Sequence, residues 1–386
     1  MQLKQLETGI LFKNAKPHVK SVHAYFPSVV SLPDGSLLSM YMLGEAFEAV
    51  DLKLHLSRSR DQGQTWEYQG SIDTSVSGRQ TSTFGRLAVT ETGELIANLV
   101  RFDRTDFPGE GLCNPQTLGM VPSELLIIRS LDQGKTWSEP TLVTPPLEGP
   151  EFEMCSPLTI LNDGRWIWPT STWRGWNGDL PNGNRMLALV SRDQGSSWDE
   201  YLDIMHSENN NLIFWESKVV EYPEGRLLAV AWCYDEASST DLPNHYAISD
   251  DGGTSWSEPA STQIQGQTLT PCLLEDGSLL NIYRRMDQPG LWACLSRLDD
   301  AGNWINGDQQ PLWGHNKLEG ITSTGQNMSD NFAVLKFGAP HITRLSDGEL
   351  FVTFWCYEQC VSVIRWFRFQ VEQQSIEQHQ KTVVNC

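Results

Sequence analysis

Apolar and polar positions along this chain fall into short blocks that come in pairs. An apolar run from Pro27 to Leu32 meets a tight turn, Pro33-Asp34-Gly35-Ser36, and a second apolar run from Leu37 to Leu43 follows at once. Runs of this length, rich in β-branched and aromatic residues and joined by a Gly turn, predict antiparallel hairpins. The hairpin recurs with its glycine at Gly93, Gly164, Gly225, Gly277 and Gly348, at intervals between 52 and 71 residues. Six hairpins predict six related units.

A second pattern lies between the hairpins. Ser-x-Asp-x-Gly-x-(Thr or Ser)-Trp occupies Ser59 to Trp66, Ser130 to Trp137, Ser191 to Trp198 and Ser249 to Trp256, and a looser version runs from Ser296 to Trp304. Each copy follows an apolar run, which places it on the turn of a second hairpin. There the Asp side chain can accept from nearby backbone N–H groups, the Gly can take positive φ, and the Trp can fill the gap to a neighbouring unit. The five Trp of these turns, Trp66, Trp137, Trp198, Trp256 and Trp304, are therefore read as packing residues. Four antiparallel strands per unit, six times over and without helical periodicity, predict an all-β fold, a six-bladed β-propeller of four-stranded antiparallel blades. It is expected to span residues 1–370 as one domain, with a polar tail over 371–386. The sixth unit lacks the Trp turn, so a strand from the amino end, around Gly9 to Phe12, is expected to close the last blade.

Composition narrows the partners. The 386 residues carry 28 Lys and Arg against 48 Asp and Glu, a formal net charge of −20, with no basic cluster. That argues against nucleic acid and against an anionic membrane surface. No stretch approaches the length of a membrane span and the first ten residues do not read as a signal peptide, so a cytoplasmic location is the expectation. The eight cysteines are scattered and read as buried, reduced thiols, which agrees with that location. No phosphate loop, His-Glu-x-x-His or metal-spaced Cys set is present, so neither a cofactor nor a metal is expected.

In such a blade the two tight turns lie on one face of the disc and the longer connections on the other. Residues entering the first strand of a blade or leaving its second would ring a central funnel. Those entering include His23, Tyr25, Arg79, Arg86, Glu153, Trp215 and Glu216. Those leaving include Asp51, Trp173, Arg174, Trp232, Asp235, Arg284, Arg285 and Trp355. Indoles that take the apolar side of a pyranose, guanidiniums that pair with an acidic substituent and carboxylates that bind hydroxyls or move protons together suit an oligosaccharide or glycoconjugate. Glu216 stands out as an isolated acid between aromatics. Glu45, Glu48, Asp103, Arg104 and Asp287 read instead as solvated loop charges.

With these turns and hairpins the chain resembles the sialidase superfamily, six-bladed propellers whose blades carry Asp-box (BNR) repeats, over residues 20–370. The stretch Trp215-Glu216-Ser217-Lys218-Val219-Val220-Glu221-Tyr222-Pro223-Glu224-Gly225 is similar to the family's Asn-Glu-x-x-x-Val-Glu-Leu-x-Asp-Gly motif, and the resemblance gives Glu216 the role of the glutamate that assists the nucleophile. The family's acid/base Asp corresponds to the stretch Glu45 to Asp51, with Asp51 the candidate. Ala24-Tyr25-Phe26-Pro27 puts Tyr25 where the family has an arginine. Trp232 stands near the place of a second arginine, Ala339-Pro340 where a tyrosine nucleophile is expected, and Arg284 or Arg285 is left for the remaining arginine.

The sialidase reaction itself is therefore not expected. The expectation is an exo-acting glycoside hydrolase on an acidic or otherwise substituted glycan, with Asp51 and Glu216 facing each other across the funnel and Glu153 or Asp235 as alternative partners. Tyr25 could act if a neighbouring base lowered its pKa. A lyase acting on a uronic acid, with His23 or Tyr25 as base and Arg79 or Arg284 neutralising the carboxylate, is an alternative. A non-catalytic propeller that binds a glycan or a protein through the same face is another.

Overall fold

The computed structural model describes residues 2–149, 151–316 and 334–372, and twenty-five strands among them form six antiparallel sheets. Blade one contains β2 (His23–Ser31), β3 (Leu37–Gly44), β4 (Lys53–Ser59) and β5 (Glu67–Ile72). Blade two contains β6 (Thr81–Val89), β7 (Leu95–Asp103), β8 (Ser123–Ser130) and β9 (Thr141–Val143). In blade three the innermost strand is split into β10 (Glu151–Phe152) and β11 (Thr159–Ile160), which both pair with β12 (Trp166–Trp173), and β13 (Arg185–Ser191) and β14 (Glu200–His206) follow. Blade four runs β15 (Leu212–Glu221), β16 (Leu227–Asp235), β17 (Thr240–Ser249) and β18 (Ala260–Ser261). Blade five runs β19 (Gly266–Leu273), β20 (Leu279–Arg285), β21 (Leu291–Leu298) and β22 (Trp304–Trp313).

Blade six is built from both ends of the chain. Its inner strands are β23 (Phe337–Arg344), β24 (Leu350–Glu358) and β25 (Val361–Glu372), and β1 (Gln2–Phe12) pairs antiparallel with β25 as the outermost strand. β25 reaches Glu372, so the two residues after 370 are strand; residues 373–386 of the expected tail lie outside those described. Inner strands of successive blades pack together, β2 on both β6 and β23, and β15 on both β12 and β19. Because each blade is covered on both faces, its second strand is largely buried. Every residue of β12 and all but the last of β7 are buried, which explains continuous apolar runs where strict alternation would mark a one-sided sheet.

The Ser-x-Asp turns have a common bonding scheme. In the first, Ser59 Oγ donates to Asp61 Oδ1 (2.8 Å) and accepts from Gly63 N–H (2.8 Å), and Thr65 N–H donates to Asp61 Oδ1 (2.9 Å). The Trp66 indole N–H closes the turn on Gly63 O at 2.8 Å. The Ser and Asp bonds recur around Asp132, Asp193 and Asp251, and the indole bond recurs at Trp198 and Trp256 while the Trp137 N–H is buried without a partner; bonds from the following Thr or Ser hold these three carboxylates at a pKa of about 2. The residue before the glycine also adopts positive φ: 58° at Gln62, 62° at Gln133 and 58° at Gln194.

The glycine answers a second constraint, because a Cβ on Gly63 would stand 2.5 Å from the Phe351 ring in blade six and one on Gly134 would stand 2.6 Å from Leu38 in blade one. The turn glycine is thus the point where one blade slots against the last. Gly35, at φ 79°, has no atom within 4 Å of such a Cβ. Gly35→Ala should therefore cost only its left-handed strain, about 1–2 kcal/mol, whereas Gly63→Ala adds overpacking of about 1–3 kcal/mol. Urea unfolding of the two variants checks this, and equal losses would refute the inter-blade role.

Candidate functional site

The innermost strands do not run smoothly past the funnel. Register shifts interrupt β2 between Tyr25 and Ser28, β15 between Trp215 and Lys218, β19 between Gln267 and Thr270, and β23 between Gly338 and His341. At each stands one residue in the left-handed region: Phe26 (φ 50°), Glu216 (59°), Thr268 (54°) and Ala339 (48°). In blade three the strand breaks altogether, between Phe152 and Thr159. An extra residue in one strand re-aims its side chain and leaves backbone groups unpaired. The freed carbonyls are used at once. Phe26 O accepts from Arg86 Nη1 (2.8 Å), Cys155 O from Arg86 Nε (3.2 Å) and Glu216 O from Lys218 Nζ (3.2 Å). Left-handed φ in non-glycine residues costs about 1–3 kcal/mol each and collects at functional sites.

These residues enclose a cavity of about 160 Å3. Phe26, Phe47, Phe84, Phe102, Met120 and Leu112 contribute much of its apolar wall, together with Trp215, Trp232 and Trp355. Three cations, Arg86, Lys218 and Arg284, and three carboxyls, Glu48, Glu153 and Glu216, share it with the thiols of Cys113 and Cys155. Arg86, Lys218 and Arg284 are buried. Among the described residues no carboxylate lies within salt-bridge distance of any of the three. Arg284 is held instead by Phe337 O (3.1 Å) and the Gln267 side-chain amide oxygen Oε1.

Burial raises the pKa of all three carboxyls. Glu153, 3% exposed, is pushed up to about 7, with Lys218 opposing the shift. Neither of its carboxyl oxygens has a hydrogen-bond partner; the Cys155 thiol and the Ser217 backbone approach without closing a bond. Glu216 feels the same desolvation but is drawn back by Arg284, by the Thr268 N–H, which donates to its Oε2, and by Lys218. The indole N–H groups of Trp215 and Trp355 are buried without a partner, while that of Trp232 donates to Asp241 at 2.7 Å. Among the described residues no group of three or more His, Cys, Asp or Glu is placed to hold a metal ion.

Of the residues singled out from the sequence, Arg86, Glu153, Trp215, Glu216, Trp232, Arg284 and Trp355 line this cavity. The others stand elsewhere. Asp51 lies exposed on the loop after β3, where its carboxylate accepts from Glu45 N–H (3.0 Å). Tyr25 is fully buried, bonded through its hydroxyl to Tyr357 (2.9 Å) and wedged against Phe47 and Trp355, and burial drives its pKa up and not down. His23 uses Nδ1 to accept from Ser362 N–H (3.0 Å) at the seam between blades one and six. Trp173 is core, stacked 4.4 Å from Trp215 and donating to Leu118 O at 2.7 Å.

Arg79 is committed to Asp103 (2.8 Å) and Glu124 (3.1 Å), Arg174 to Glu236 (2.5 Å) and Arg285 to Asp287 (2.6 Å). Asp235 is occupied in its own loop by Ser238 Oγ at 2.8 Å. Glu48 and Lys218, which sequence reasoning did not select, are in the cavity. Bulges carry no sequence signature of their own. A hint for Lys218 was a long cation in an otherwise apolar strand, two residues after Glu216.

No protein-family model and no curated protein sequence matches the chain. Solved structures do. A protein of unknown function from Dyadobacter fermentans superposes with a TM-score of 0.72 at 18% identity, covering 96% of this chain and 99% of that one. A NanB sialidase mutant from Streptococcus pneumoniae gives 0.62 at 13% identity over 95% of this chain and 70% of that one. The α-L-arabinanase of Penicillium chrysogenum, complexed with arabinobiose, gives 0.62 at 17% identity over 94% and 98%. The chain has the sialidase-type propeller fold.

In this sialidase-type propeller the raised Glu153 carboxyl has a thermodynamic signature. Its folded pKa, about 7, lies above the unfolded value of about 4.3, so between these limits the folded state keeps a proton that the unfolded state has released. Its contribution to stability is therefore present below about pH 4.3 and is lost as pH rises towards 7. Wild-type protein should melt at falling temperature from pH 5 to pH 8, and Glu153→Gln should flatten that slope and melt higher at pH 8, by an amount on the order of a few degrees. Parallel calorimetric profiles for the two proteins would contradict the assignment.

Proposed function

We propose that this protein is an exo-acting glycoside hydrolase whose substrate sugar carries an acidic or similarly polar substituent. The observation that carries the reading is the pair Glu153 and Glu216 in one aromatic-walled cavity with three buried cations that, among the described residues, no carboxylate meets at salt-bridge distance. Glycoside hydrolysis needs one protonated carboxyl and one ionised partner. Glu153, desolvated and near pKa 7, supplies the proton to the leaving oxygen. Glu216, drawn towards ionisation by Arg284, Thr268 N–H and Lys218, serves as nucleophile or as base for water. Two carboxyls whose surroundings push their proton affinities apart are the usual mark of such a division of labour.

The dimensions favour a chain end. A cavity of about 160 Å3 falls below the roughly 300–1,000 Å3 common for ligand pockets, so it takes one sugar unit and not a strand of polymer. Arg86, Arg284 and Lys218 provide charge-assisted donors for an anionic substituent, and the indoles provide faces for the ring. The kinship in fold with a sialidase and an arabinanase agrees with a glycan substrate. Elimination from a uronic acid has less support, since His23 and Tyr25, its candidate bases, are engaged outside the cavity.

A panel of chromogenic glycosides covering uronosides, sialosides and deoxy-sugar glycosides tests the proposal. On the substrate turned over, Glu153→Gln and Glu216→Gln should each lower kcat by roughly a hundred- to ten-thousand-fold, while Asp51→Asn should change it less than about twofold. Retained activity in both Gln variants would sink the mechanism. Sugar binding without hydrolysis in wild type would instead make this a binding propeller.

A further inference from the structure

Glu48 is absorbed neither by the mechanism above nor by the fold. It lies on the loop between β3 and β4 and lines the cavity from blade one. One carboxyl oxygen, Oε1, is out of solvent with no hydrogen-bond partner. The rest of the group is fixed. The Leu112 backbone N–H faces the carboxyl, and Gly111 leaves the space it fills, since a Cβ there would stand 2.7 Å from Oε2.

Leu112 and Gly111 belong to segment 104–121, which joins β7 to β8 and lies over this side of the cavity. The fully buried Arg104 ties the segment down by donating to Glu48 O (2.9 Å) and to Glu110 O. On the far side Met120 N–H donates to Arg174 O (2.9 Å), and Thr117 Oγ1 and Asn114 Nδ2 donate to Trp176 O (2.7 and 3.0 Å). The segment is thus clamped between blades one and three. Glu48 is a strut beneath it that also lines the cavity, with one carboxyl acceptor left unpaired.

We propose that Glu48 determines specificity: its open carboxyl oxygen accepts a hydrogen bond from a hydroxyl of the bound sugar while the rest of the carboxyl stays anchored under segment 104–121. The inference rests on the glycan reading above. A buried acceptor with no partner is costly and is satisfied by a donor arriving with the ligand. The hydroxyl is favoured over an ammonium because the same cavity already holds Arg86, Lys218 and Arg284, and a fourth cation would be repelled. A site built this way rejects analogues that lack the donor more strongly than an apolar pocket rejects a missing methylene.

Glu48→Gln separates the roles. Its carbonyl oxygen can still meet Leu112 N–H, but its amide N–H2 then points a donor at the sugar's donor. The full-length protein and this variant are compared by melting temperature without ligand, by thermal shift with D-glucuronate, N-acetylneuraminate and L-rhamnose, and by kcat and KM on whichever glycoside is hydrolysed. The expected result is a melting temperature equal to or above wild type, with affinity weakened roughly tenfold or more and kcat little changed. A lower melting temperature with unchanged affinity makes Glu48 a purely structural strut and overturns the inference. A collapse of kcat at constant KM places Glu48 in the acid/base pair and overturns it too. Wild type that binds no sugar of the panel and hydrolyses no glycoside removes the glycan reading and this assignment together, whereas equal binding by wild type and variant removes only the assignment.

Discussion

Closure of the ring depends on the two ends of the described chain meeting in one sheet. β1 supplies the outer strand of blade six against β25, so the blade whose inner three strands come last is finished by the strand that comes first. The seam next to it is unusually well populated. The first Ser-x-Asp turn docks Gly63 and Trp66 on Phe351, Arg368 reaches Gln62, and Ser362 both donates to His23 and bonds Ala24 O. Opening that seam would cost one blade's edge and both of its faces, which is why closure stabilises every other blade boundary as well. His23 and Tyr25 resembled catalytic residues by position. Their hydrogen bonds show them to be part of this seam.

A closed ring makes its innermost strands converge, and convergence is the second constraint. Six strands cannot all keep ideal pairing while their side chains share so small a volume. Four bulges and one broken strand relieve the crowding at the same level, and each turns a side chain or a carbonyl towards the axis. The buried cations depend on them. Arg86 donates to the carbonyl of bulge residue Phe26 and to Cys155 in the broken strand, and Lys218 to the carbonyl of bulge residue Glu216. Irregular backbone is thus what permits charge inside an otherwise apolar funnel, since each guanidinium or ammonium replaces lost water with carbonyl oxygens and needs no counter-ion of its own.

The blade count was legible because it is written twice, in the Gly hairpins and in the Ser-x-Asp turns, and both patterns are local. A turn needs only its own residues to be recognised. The site was legible where a cavity-lining residue lies about one strand's length from such a landmark, as Glu216, Glu153, Arg86 and Arg284 do, even though Glu216 stands on a bulge and Glu153 in the broken strand. It was not legible where long connections decide the outcome. Arg79, Arg174 and Arg285 look free in sequence and are each consumed by an acid, and the acids Asp103 and Glu124 come from a different strand than Arg79. Nothing in the local sequence of Trp173 separates it from Trp215; the first is sealed beneath Leu118 and the second borders the cavity.

Glu45, Glu48 and Asp51 put the same issue in its sharpest form. Three acids on one loop, three residues apart, are chemically near-equivalent in an unfolded chain. In the folded one Glu45 and Asp51 are exposed, and Asp51 merely caps the loop, while Glu48 loses its water beneath a segment that begins more than fifty residues later. The difference arises from Arg104, which pulls segment 104–121 onto the Glu48 backbone carbonyl, and from Gly111, whose missing side chain makes room for the carboxyl. Burial of a carboxyl beside buried cations also sets the cavity's charge. Arg86, Lys218 and Arg284 thus share the cavity with three carboxyls whose pKa burial raises, so water is excluded from cations and carboxyls alike in a protein of net charge −20.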